Sequence, residues 1–272
     1  MADKRITPFR ADLAAAHLQG VIDAPHYVTG VRRSVGVGRT ALRAGPAADA
    51  AQDSELLFGE IFTVYDHANG WSWGQLERDG YVGYVQSGAL CDPFVVSQRV
   101  TALMAPVFPG PGLKGAVRDL LPLNASVNVL GHSGDYVQIA PGQFLHRRHL
   151  EPFSTNDFVT VAQGFAGVPY VWGGKTWAGL DCSGLIQTAL HAVARDCPRD
   201  ADMQEQKLGH AIARAERRGD LVFWKGHVGV MIDETHLLHA NAFHMAVRSE
   251  PLAQAIARIE RVAGPVTSVR RL

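Results

Sequence analysis

The sequence predicts an α+β protein in which an all-β N-terminal part is followed by a part that mixes helices and strands. In residues 31–153, short runs of β-forming residues alternate with turn residues. From residue 154 onward, helix-like periodicity comes first and short neighbouring strands follow. Helices that precede a group of strands are typical of an α+β layer rather than of a parallel α/β sheet.

Residues 1–30 are predicted to form an arm or packing segment rather than a domain. The segment "DLAAAHLQGV" is the one short helix candidate there, with Asp12 as its N-cap.

The β-rich part is predicted to form two small all-β barrels, residues 31–92 and residues 93–153. In the first, "RDGYVGYV" places an Asp-Gly turn before an alternating strand, which indicates a hairpin. The stretch "ELLFGEIFTVYDHANGWSWGQLERDGYVGYV" has a weak counterpart in "DLLPLNASVNVLGHSGDYVQIAPGQFLHRRHL". The junction lies near "CDPF", where a proline interrupts strand pairing.

Residues 154–272 are predicted to hold three helices and a group of strands. The first helix, "STNDFVTVAQGF", begins with capping residue types, and "CSGLIQTALHAVA" repeats its apolar residues on one face. The segments "DLVFW", "HVGVMID" and "THLLHA" are short strands. A late helix, "SEPLAQAIARI", has Ser249 or Glu250 near its start and Pro251 at its first position.

Composition excludes several classes of partner. Of 272 residues, 47% are hydrophobic and 19% are charged, which suffices for ordinary globular cores. The formal net charge is +0, so neither nucleic acid nor an acidic membrane is expected as a partner. The first twenty residues lack the apolar run of a secretory signal, and no stretch resembles a membrane span, so we expect a cytoplasmic protein. The three cysteines contain no CxxC pair, which fits reduced thiols.

Cys182 stands at the predicted start of a helix, in "LDCSGL". The unpaired N–H groups and the dipole at a helix N-terminus favour negative charge. In such a place the pKa of a thiol falls, and more so beside a histidine, so Cys182 is a candidate nucleophile with a lowered pKa. The N–H groups of the same turn would face a developing oxyanion. The alternative is a buried structural cysteine, with Asp181 as a plain N-cap.

Two histidines stand on neighbouring predicted strands. His227 heads a strand after Gly226, and His239 lies on the next strand, in "LLHANAFH". If these strands pair antiparallel, His239 lies beside His227, so that one ring serves as base toward Cys182 and the other orients it. Taken singly, His227 could instead be an edge histidine that faces solvent, and His239 could have no catalytic role.

Three blocks, "YVWGGKTWAGLDCSGL", "RRGDLVFWKGHVGV" and "HLLHANAFHMAV", resemble the NlpC-type cysteine peptidases, a papain-like superfamily. The resemblance covers residues from about 155 to 272. The two barrels in front resemble bacterial SH3-like domains, and with "PRDADMQ" they resemble the dipeptidyl-peptidase VI branch. That branch cleaves the γ-D-glutamyl bond to a diamino acid in cell-wall peptides that begin with L-alanine. The fold that this implies is a papain-like NlpC catalytic domain behind two SH3-like barrels.

The resemblance implies roles for residues around the cysteine. Cys182 is then the nucleophile, His227 the base and His239 the orienting residue. Tyr170 matches a tyrosine that helps the oxyanion. By the same resemblance, Trp172 is a pocket wall, and Asp181 and Ser183 hold the free amine of the substrate. An ammonium group needs a carboxylate within hydrogen-bond reach, and Asp181 is the nearest in sequence.

In the same branch, the first barrel also lines the site. The matching candidates are Glu60, in "LLFGE", and either Tyr81 or Tyr84, in "DGYVGYV". The spacing does not decide between the two tyrosines, and Glu60 could instead be a solvated strand residue.

Other patterns are set aside. "GVGRTA" begins like a dinucleotide loop, but no helix follows it. "HRRH" and "HLLH" suggest metal ligands, but residues three apart on a strand point to opposite faces, so we expect no metal and no cofactor. Cys91 and Cys197 are expected to be packing residues. Arg199 could contact a substrate carboxylate, cap a helix or form a surface ion pair.

The sequence therefore predicts an intracellular cysteine peptidase acting on murein peptides of the type L-Ala-γ-D-Glu-diamino acid. An endopeptidase acting on intact cell wall, an acyltransferase of the same superfamily and a non-catalytic wall-binding protein are the alternatives. The first would need an export signal, the second would not need a carboxylate for an amine, and the third would not need all three blocks.

Overall fold

A computed structural model describes residues 2–152 and 156–272. Contacts divide the chain into two compact units, of which the first ends at Glu151 and the second begins at Pro152. The predicted helix start at Ser154 and Thr155 lies outside the described residues. None of the described helices has the length and apolar character needed to cross a membrane.

The first unit consists of strands joined by turns and short 3-10 helices. The 3-10 helices are Ala16–Leu18, Ser87–Ala89 and Arg147–Leu150. The strands are β1 (Ala14–Ala15), β2 (Tyr27–Val28), β3 (Val31–Val35), β4 (Arg39–Arg43), β5 (Gln52–Leu57), β6 (Ile61–Ala68), β7 (Trp71–Leu76), β8 (Val82–Gln86), β9 (Leu90–Cys91), β10 (Gln98–Arg99), β11 (Met104–Val107), β12 (Asp119–Pro122), β13 (Ser126–Val127), β14 (Gly131–Ser133), β15 (Tyr136–Ala140) and β16 (Gln143–His146).

Strands β3–β9 form one sheet in the order β5-β4-β8-β7-β6-β3-β9. The predicted hairpin is confirmed: β7 pairs antiparallel with β8, and Gly80 in the turn has a positive φ of 78°. The outer strands β5 and β9 are not neighbours, so the sheet among the described residues is open rather than a closed barrel. Apolar side chains including Leu42, Phe62 and Val85 form its core.

The strands from β10 onward form three smaller sheets, which are β10 with β13, β11 with β12, and β14-β15-β16. They enclose a separate apolar core that includes Val107, Leu121 and Leu145. Two cores in one unit fit the weak sequence repeat, while the predicted boundary between two barrels stays a prediction.

The predicted helix after Asp12 is wrong, apart from the single 3-10 turn Ala16–Leu18. Ala14 and Ala15 pair with Tyr27 and Val28 as parallel strands instead. The carboxylate of Asp12 accepts from the guanidinium of Arg10 rather than capping a helix. A helix this short is only marginally stable by itself, so strand pairing of the alanine backbone outweighs its helix propensity.

The second unit combines four helices with eight strands among its described residues. The helices are α1 (Phe158–Gln163), α2 (Cys182–Ala192), α3 (Ala201–Lys207) and α4 (Leu252–Ala263). The strands are β17 (Lys175–Thr176), β18 (Gly179–Leu180), β19 (His210–Ile212), β20 (Leu221–Trp224), β21 (His227–Met231), β22 (His236–Asn241), β23 (Ala246–Pro251) and β24 (Ser268–Arg271). Six strands form an antiparallel sheet in the order β19-β24-β20-β21-β22-β23. The predicted α+β class is confirmed.

Helix α2 is buried along its whole length, and it begins where the sequence predicts. The side chain of Asp181 caps it by accepting from the N–H of Gly184 at 2.7 Å. Gly184 is needed for packing, because a Cβ there would lie 2.1 Å from the carbonyl oxygen of Gly174. Cap and close contact together fix the position of Cys182, the first residue of the helix.

The start of the last helix differs from the prediction. Helix α4 begins at Leu252 with Pro251 as its N-cap, while Ser249 and Glu250 belong to strand β23. The pairing of β23 with β22 holds Glu250 opposite Leu237, and Leu237 lies two residues before His239 on β22. Glu250 is therefore placed by the sheet and not by the helix.

Candidate active site

Cys182 is buried at the N-terminus of α2, with 7% of its surface exposed. Its thiol donates to the carbonyl oxygen of Gly226 at 3.9 Å, and the N–H groups of Val228 and Ser183 face the sulfur. The sulfur thus lies against the backbone on both sides of His227. Helix α2 and the start of β21 together bring the candidate nucleophile to the candidate base.

The predicted lowering of the thiol pKa is wrong. Burial raises the pKa of Cys182 to about 12, and the negative charge of Asp181 adds to the rise. The N–H groups of Val228 and Ser183 and the charge of Arg199 oppose that rise without overcoming it. The helix N-terminus is capped by a carboxylate whose charge offsets the positive end of the dipole. The resting thiol is therefore protonated.

The structure brings His227 and His239 together. Strands β21 and β22 pair antiparallel, with Val230 opposite Leu238. Nε2 of His227 lies 2.8 Å from Nδ1 of His239, and the two ring centroids are 5.1 Å apart. Since Nε2 of His227 is hydrogen-bonded to His239, the nitrogen that remains for Cys182 is Nδ1.

Both histidine rings are neutral in the folded protein. Burial lowers the pKa of His227 to about 3, with further lowering by His239 and Arg258 that outweighs the opposing carboxylates. Burial, and then the charge of Arg258, lowers the pKa of His239 to about 3 as well. A neutral imidazole keeps one nitrogen lone pair, so His227 is able to accept a proton from the thiol.

Two residues at this site were not predicted from the sequence, namely Glu250 and Arg258. Oε1 of Glu250 lies 2.8 Å from Nε2 of His239, and the guanidinium of Arg258, from α4, donates to the same carboxylate oxygen. Because a proline follows Glu250, the sequence indicated a helix start there. Glu250 was therefore not assigned to the strand that pairs with the strand of His239. The hairpin register of β22 and β23 was the signal that could have revealed it.

On the other side of Cys182, Asp181 forms a buried ion pair with Arg199. The guanidinium donates to both carboxylate oxygens, at 3.0 and 2.6 Å, and also to the hydroxyl of Ser183 at 3.0 Å. The N–H groups of Gly173 and Gly184 donate to the same carboxylate. Arg199 is 1% exposed, so the surface ion pair considered for it is wrong.

These contacts bear on the amine-binding roles expected of Asp181 and Ser183. A carboxylate offers about four acceptor positions, and Asp181 already receives four N–H donors and a hydroxyl. A substrate ammonium at Asp181 would have to share an oxygen with one of them. That role stays a prediction for both residues.

Tyr170 and Trp172 lie in the segment before β17. Burial raises the pKa of Tyr170, and the nearby groups Cys182 and then Asp181 raise it further, so the phenol stays protonated and able to donate. The backbone N–H of Tyr170 donates to the carbonyl oxygen of Met245, in the turn after β22. Trp172 is 66% exposed, which suits a side chain at the rim of a pocket.

The three candidates from the first unit have different surroundings. Glu60 lies in the turn between β5 and β6, where it is buried, accepts from the N–H of Leu57 and pairs with Arg78. Tyr81 packs in the first core at 5% exposure, while the half-buried Tyr84 accepts from Arg10 through its hydroxyl. Glu60 is therefore not the solvated strand residue that was its alternative.

Residues 167–261 match the NlpC/P60 family, and residues 42–90 match the bacterial dipeptidyl-peptidase SH3 domain. Residues 167–261 are an NlpC/P60 domain. The predicted resemblance to NlpC-type peptidases with an N-terminal bacterial SH3-like region is confirmed, and so is the papain-like fold of the catalytic part.

Curated relatives of this chain are peptidases by name. Gamma-D-glutamyl-L-lysine dipeptidyl-peptidase of Bacillus cereus is 26% identical over 235 residues, which cover 74% of this chain and 70% of that protein. Dipeptidyl-peptidase 6 of Lysinibacillus sphaericus is 32% identical over 39% of this chain and 44% of its own length. Murein DD-endopeptidase MepS/Murein LD-carboxypeptidase of Escherichia coli is 35% identical over 28% of this chain and 43% of its own length.

A solved structure shares the fold. The crystal structure of an NlpC/P60 family protein from Bacillus cereus superposes with a TM-score of 0.73, covering 89% of this chain and 99% of that one. The sequence identity is 17%, so this likeness concerns the fold alone.

Metal binding by the NlpC/P60 domain was not expected. Among the described residues, His239, His244 and Glu250 offer ligand atoms within 4.8 Å of one another. However, His239 and Glu250 already bond each other, and the cation Arg258 occupies the carboxylate that a divalent ion would need. We assign no metal site here. The segment "HRRH" was set aside as a metal site on the assumption that it forms a strand. In the structure its first residue ends β16 and the other three begin a 3-10 helix.

Proposed function

We propose that this protein is a cysteine peptidase that hydrolyses the γ-D-glutamyl–diamino acid bond of murein peptides with a free N-terminal L-alanine. The observation behind the peptidase activity is the juxtaposition of Cys182, His227 and His239 in an NlpC/P60 domain. The substrate class is supported by the relatives named dipeptidyl-peptidases and by the matching SH3 domain.

In the proposed reaction, thiol deprotonation accompanies the attack. Because the pKa of Cys182 is raised and the pKa of His227 is lowered, the site does not rest as a thiolate–imidazolium pair. The Sγ proton passes to Nδ1 of His227 as sulfur bonds to the carbonyl carbon. His227 then gives this proton to the leaving amine, and the C–N bond breaks to leave a thioester. Water, deprotonated by His227, hydrolyses the thioester and restores the thiol.

The oxyanion formed during this reaction needs donors. In the proposal these are the N–H groups at the start of α2 and the phenol of Tyr170, whose raised pKa keeps its proton available. His239 keeps the ring of His227 in a productive orientation.

Recognition of the bare amine is the finer part of the proposal. Asp181, Ser183 and Trp172 are the candidates beside the cysteine, and Glu60 is the acidic candidate from the SH3 region. Tyr81 and Tyr84 are its two tyrosine candidates. Murein-derived peptide is the proposed substrate, and the cytoplasmic location stays a prediction.

The main competing function is an endopeptidase acting on intact wall. The relative named Murein DD-endopeptidase MepS/Murein LD-carboxypeptidase supports it, because that protein is 35% identical over 28% of this chain. An acyltransferase using the same residues is a further alternative. The three differ in the product that they release.

The test is to incubate the protein with free L-Ala-γ-D-Glu-diamino acid tripeptide, with its N-acetylated form and with intact sacculi, and to identify the products by mass. We expect dipeptide release from the free tripeptide, and a kcat/KM lower by roughly a hundredfold or more after acetylation, since unpaired buried polar groups discriminate on that scale. Equal rates for the two tripeptides would exclude the dipeptidyl-peptidase proposal, and peptides released from sacculi would favour the endopeptidase.

The contribution of the SH3 region is tested with Glu60→Gln. We expect this variant to lose part of the preference for the free amine. Glu77→Gln is the matched control, because Glu77 lies in the same region and pairs with Arg32 at the surface. An unchanged preference in Glu60→Gln would remove Glu60 from the amine site.

A further inference from the structure

The histidine pair of the candidate active site is the beginning of a longer chain of polar contacts. From Nε2 of His227 it runs to Nδ1 of His239, and from Nε2 of His239 to Oε1 of Glu250, with 2.8 Å at each step. Arg258 ends the chain by donating to the same oxygen of Glu250. His239 is fully buried, and the side chains of Glu250 and Arg258 are 12% and 24% exposed.

This chain has a direction that follows from the chemistry of its members. A carboxylate only accepts hydrogen bonds, so Nε2 of His239 must carry the proton in its contact with Glu250. In a neutral ring the other nitrogen, Nδ1, then has a lone pair, which can only accept from His227. Nε2 of His227 must therefore carry a proton, which leaves the lone pair of His227 on Nδ1.

We propose that Glu250 is a positioning residue that sets the tautomers of both histidines and so directs the lone pair of His227 toward Cys182. This inference rests on the proposed cysteine peptidase function. Glu250 acts through His239 and contacts no reacting atom. Without it, His239 could place its proton on Nδ1. His227 would then have to accept at Nε2 and carry its own proton on Nδ1, so that no lone pair would face the thiol.

Arg258 complements Glu250. A carboxylate next to a buried imidazole favours the imidazolium form, which has no lone pair to accept from His227. The cation of Arg258 opposes this, and it lowers the pKa of both histidines. Arg258 also lies over the ring of Phe243, with 4.4 Å between the guanidinium carbon and the ring centroid, so Glu250 and Phe243 hold its guanidinium from two sides. The pair orients His239 without charging it.

The tautomers can be measured directly by ¹⁵N NMR of imidazole-labelled protein, with the His227 and His239 signals assigned by their loss in His227→Ala and His239→Asn. In the unmodified protein we expect protonation at Nε2 and a lone pair at Nδ1 on both rings. In Glu250→Ala we expect the His239 ring to become a mixture of tautomers. An Nδ1-protonated His239 in the unmodified protein, or unchanged tautomers in Glu250→Ala, would overturn the proposal.

A double-mutant cycle tests the consequence for turnover. Glu250→Ala should lower kcat/KM tenfold or more, mainly through kcat, because loss of an orienting carboxylate at a histidine typically costs at least this much. In the His239→Asn background, the same substitution should cost less than about twofold, since an amide oxygen accepts from His227 without a tautomer to set. Equal losses in both backgrounds would mean that Glu250 supports the fold instead. Glu260→Ala, an exposed glutamate of α4, is the control and should change neither readout.

The two readouts separate this inference from the function on which it rests. If the unmodified protein cleaves no murein tripeptide, the proposed substrate is wrong, and the tautomers still decide the role of Glu250. If His239→Asn has no measurable turnover, the NMR result alone decides.

Discussion

Two arginine–carboxylate pairs flank Cys182, and they differ in burial and in what they contact. Arg199 and Asp181 are both nearly inaccessible, form two hydrogen bonds with each other and hold the start of α2. Arg258 and Glu250 are partly solvated, meet at a single oxygen and contact a histidine ring. The same ionic chemistry therefore has different consequences. The first pair positions the nucleophile through the backbone, and the second positions the base through its protons.

This comparison depends on Cys182 as the group that both pairs serve. Cys182→Ala should abolish turnover of the tripeptide, because the other two thiols lie outside the site: Cys91 is in β9, and Cys197 donates to a backbone carbonyl. Cys91→Ala and Cys197→Ala, assayed in parallel, should keep activity. Turnover by Cys182→Ala would show that Cys182 is not the nucleophile, and it would contradict both the mechanism and the roles assigned to the two pairs.

The histidine side of the comparison predicts a ranking. His227→Ala should be nearly inactive, since the proton of the thiol then has no acceptor. His239→Asn should keep measurable activity, because an asparagine oxygen can still accept from the ring of His227. Steady-state kcat on the free tripeptide measures both. The reverse ranking would mean that the roles of the two rings are exchanged.

The two arginines should differ most clearly in stability. Arg199→Ala leaves Asp181 as a buried carboxylate without its cation, and breaking such a pair typically costs about 3–5 kcal/mol of the free energy of unfolding. Arg258→Ala should cost about 1 kcal/mol, since partly solvated pairs contribute little. Chemical denaturation gives both values, with Arg214→Ala, an arginine of an exposed pair, as the control. Equal losses at Arg199 and Arg258 would contradict the distinction between the pairs.

The smallest expected effect is in the pH profile. Burial lowers the pKa of His227, and the nearby His239 and Arg258 lower it further. The carboxylates of Glu250 and Asp181 raise this pKa by less, so the ring stays an unprotonated base well below pH 6.5. Activity falls when the ring takes up a proton, so the acid limb of kcat/KM should lie below pH 6.5. Arg258→Gln removes a cation that opposes protonation and should move the limb to higher pH. A limb at the ordinary histidine pKa in the unmodified protein would contradict this account.

Protein stability should follow the same sign. Because the pKa of His227 and of His239 is lower in the folded than in the unfolded state, the unfolded chain takes up protons first as the pH falls below 6.5. The free energy of unfolding should therefore decrease from pH 6.5 toward pH 3. Circular dichroism at each pH of the kinetic profile separates loss of fold from loss of the base.

Much of the site could be predicted from local sequence. The capped helix beginning at Cys182 and the strands that begin with His227 and include His239 follow from short-range patterns of capping and periodicity. The blocks around these residues also sufficed to predict the NlpC-type family. Such features need no knowledge of distant residues, because their physical causes act within a few positions along the chain.

Tertiary structure alone decided the rest. The pairing of β22 with β23 placed Glu250 beside His239, although its own neighbourhood indicated a helix start. Folding buried Arg199 against Asp181, eighteen positions away, where the sequence allowed a surface charge. Burial also reversed the expected direction of the Cys182 pKa, since removing a thiolate from water costs more than a capped helix terminus returns. Register and desolvation depend on residues far apart in the chain, and that is why local patterns could not predict them.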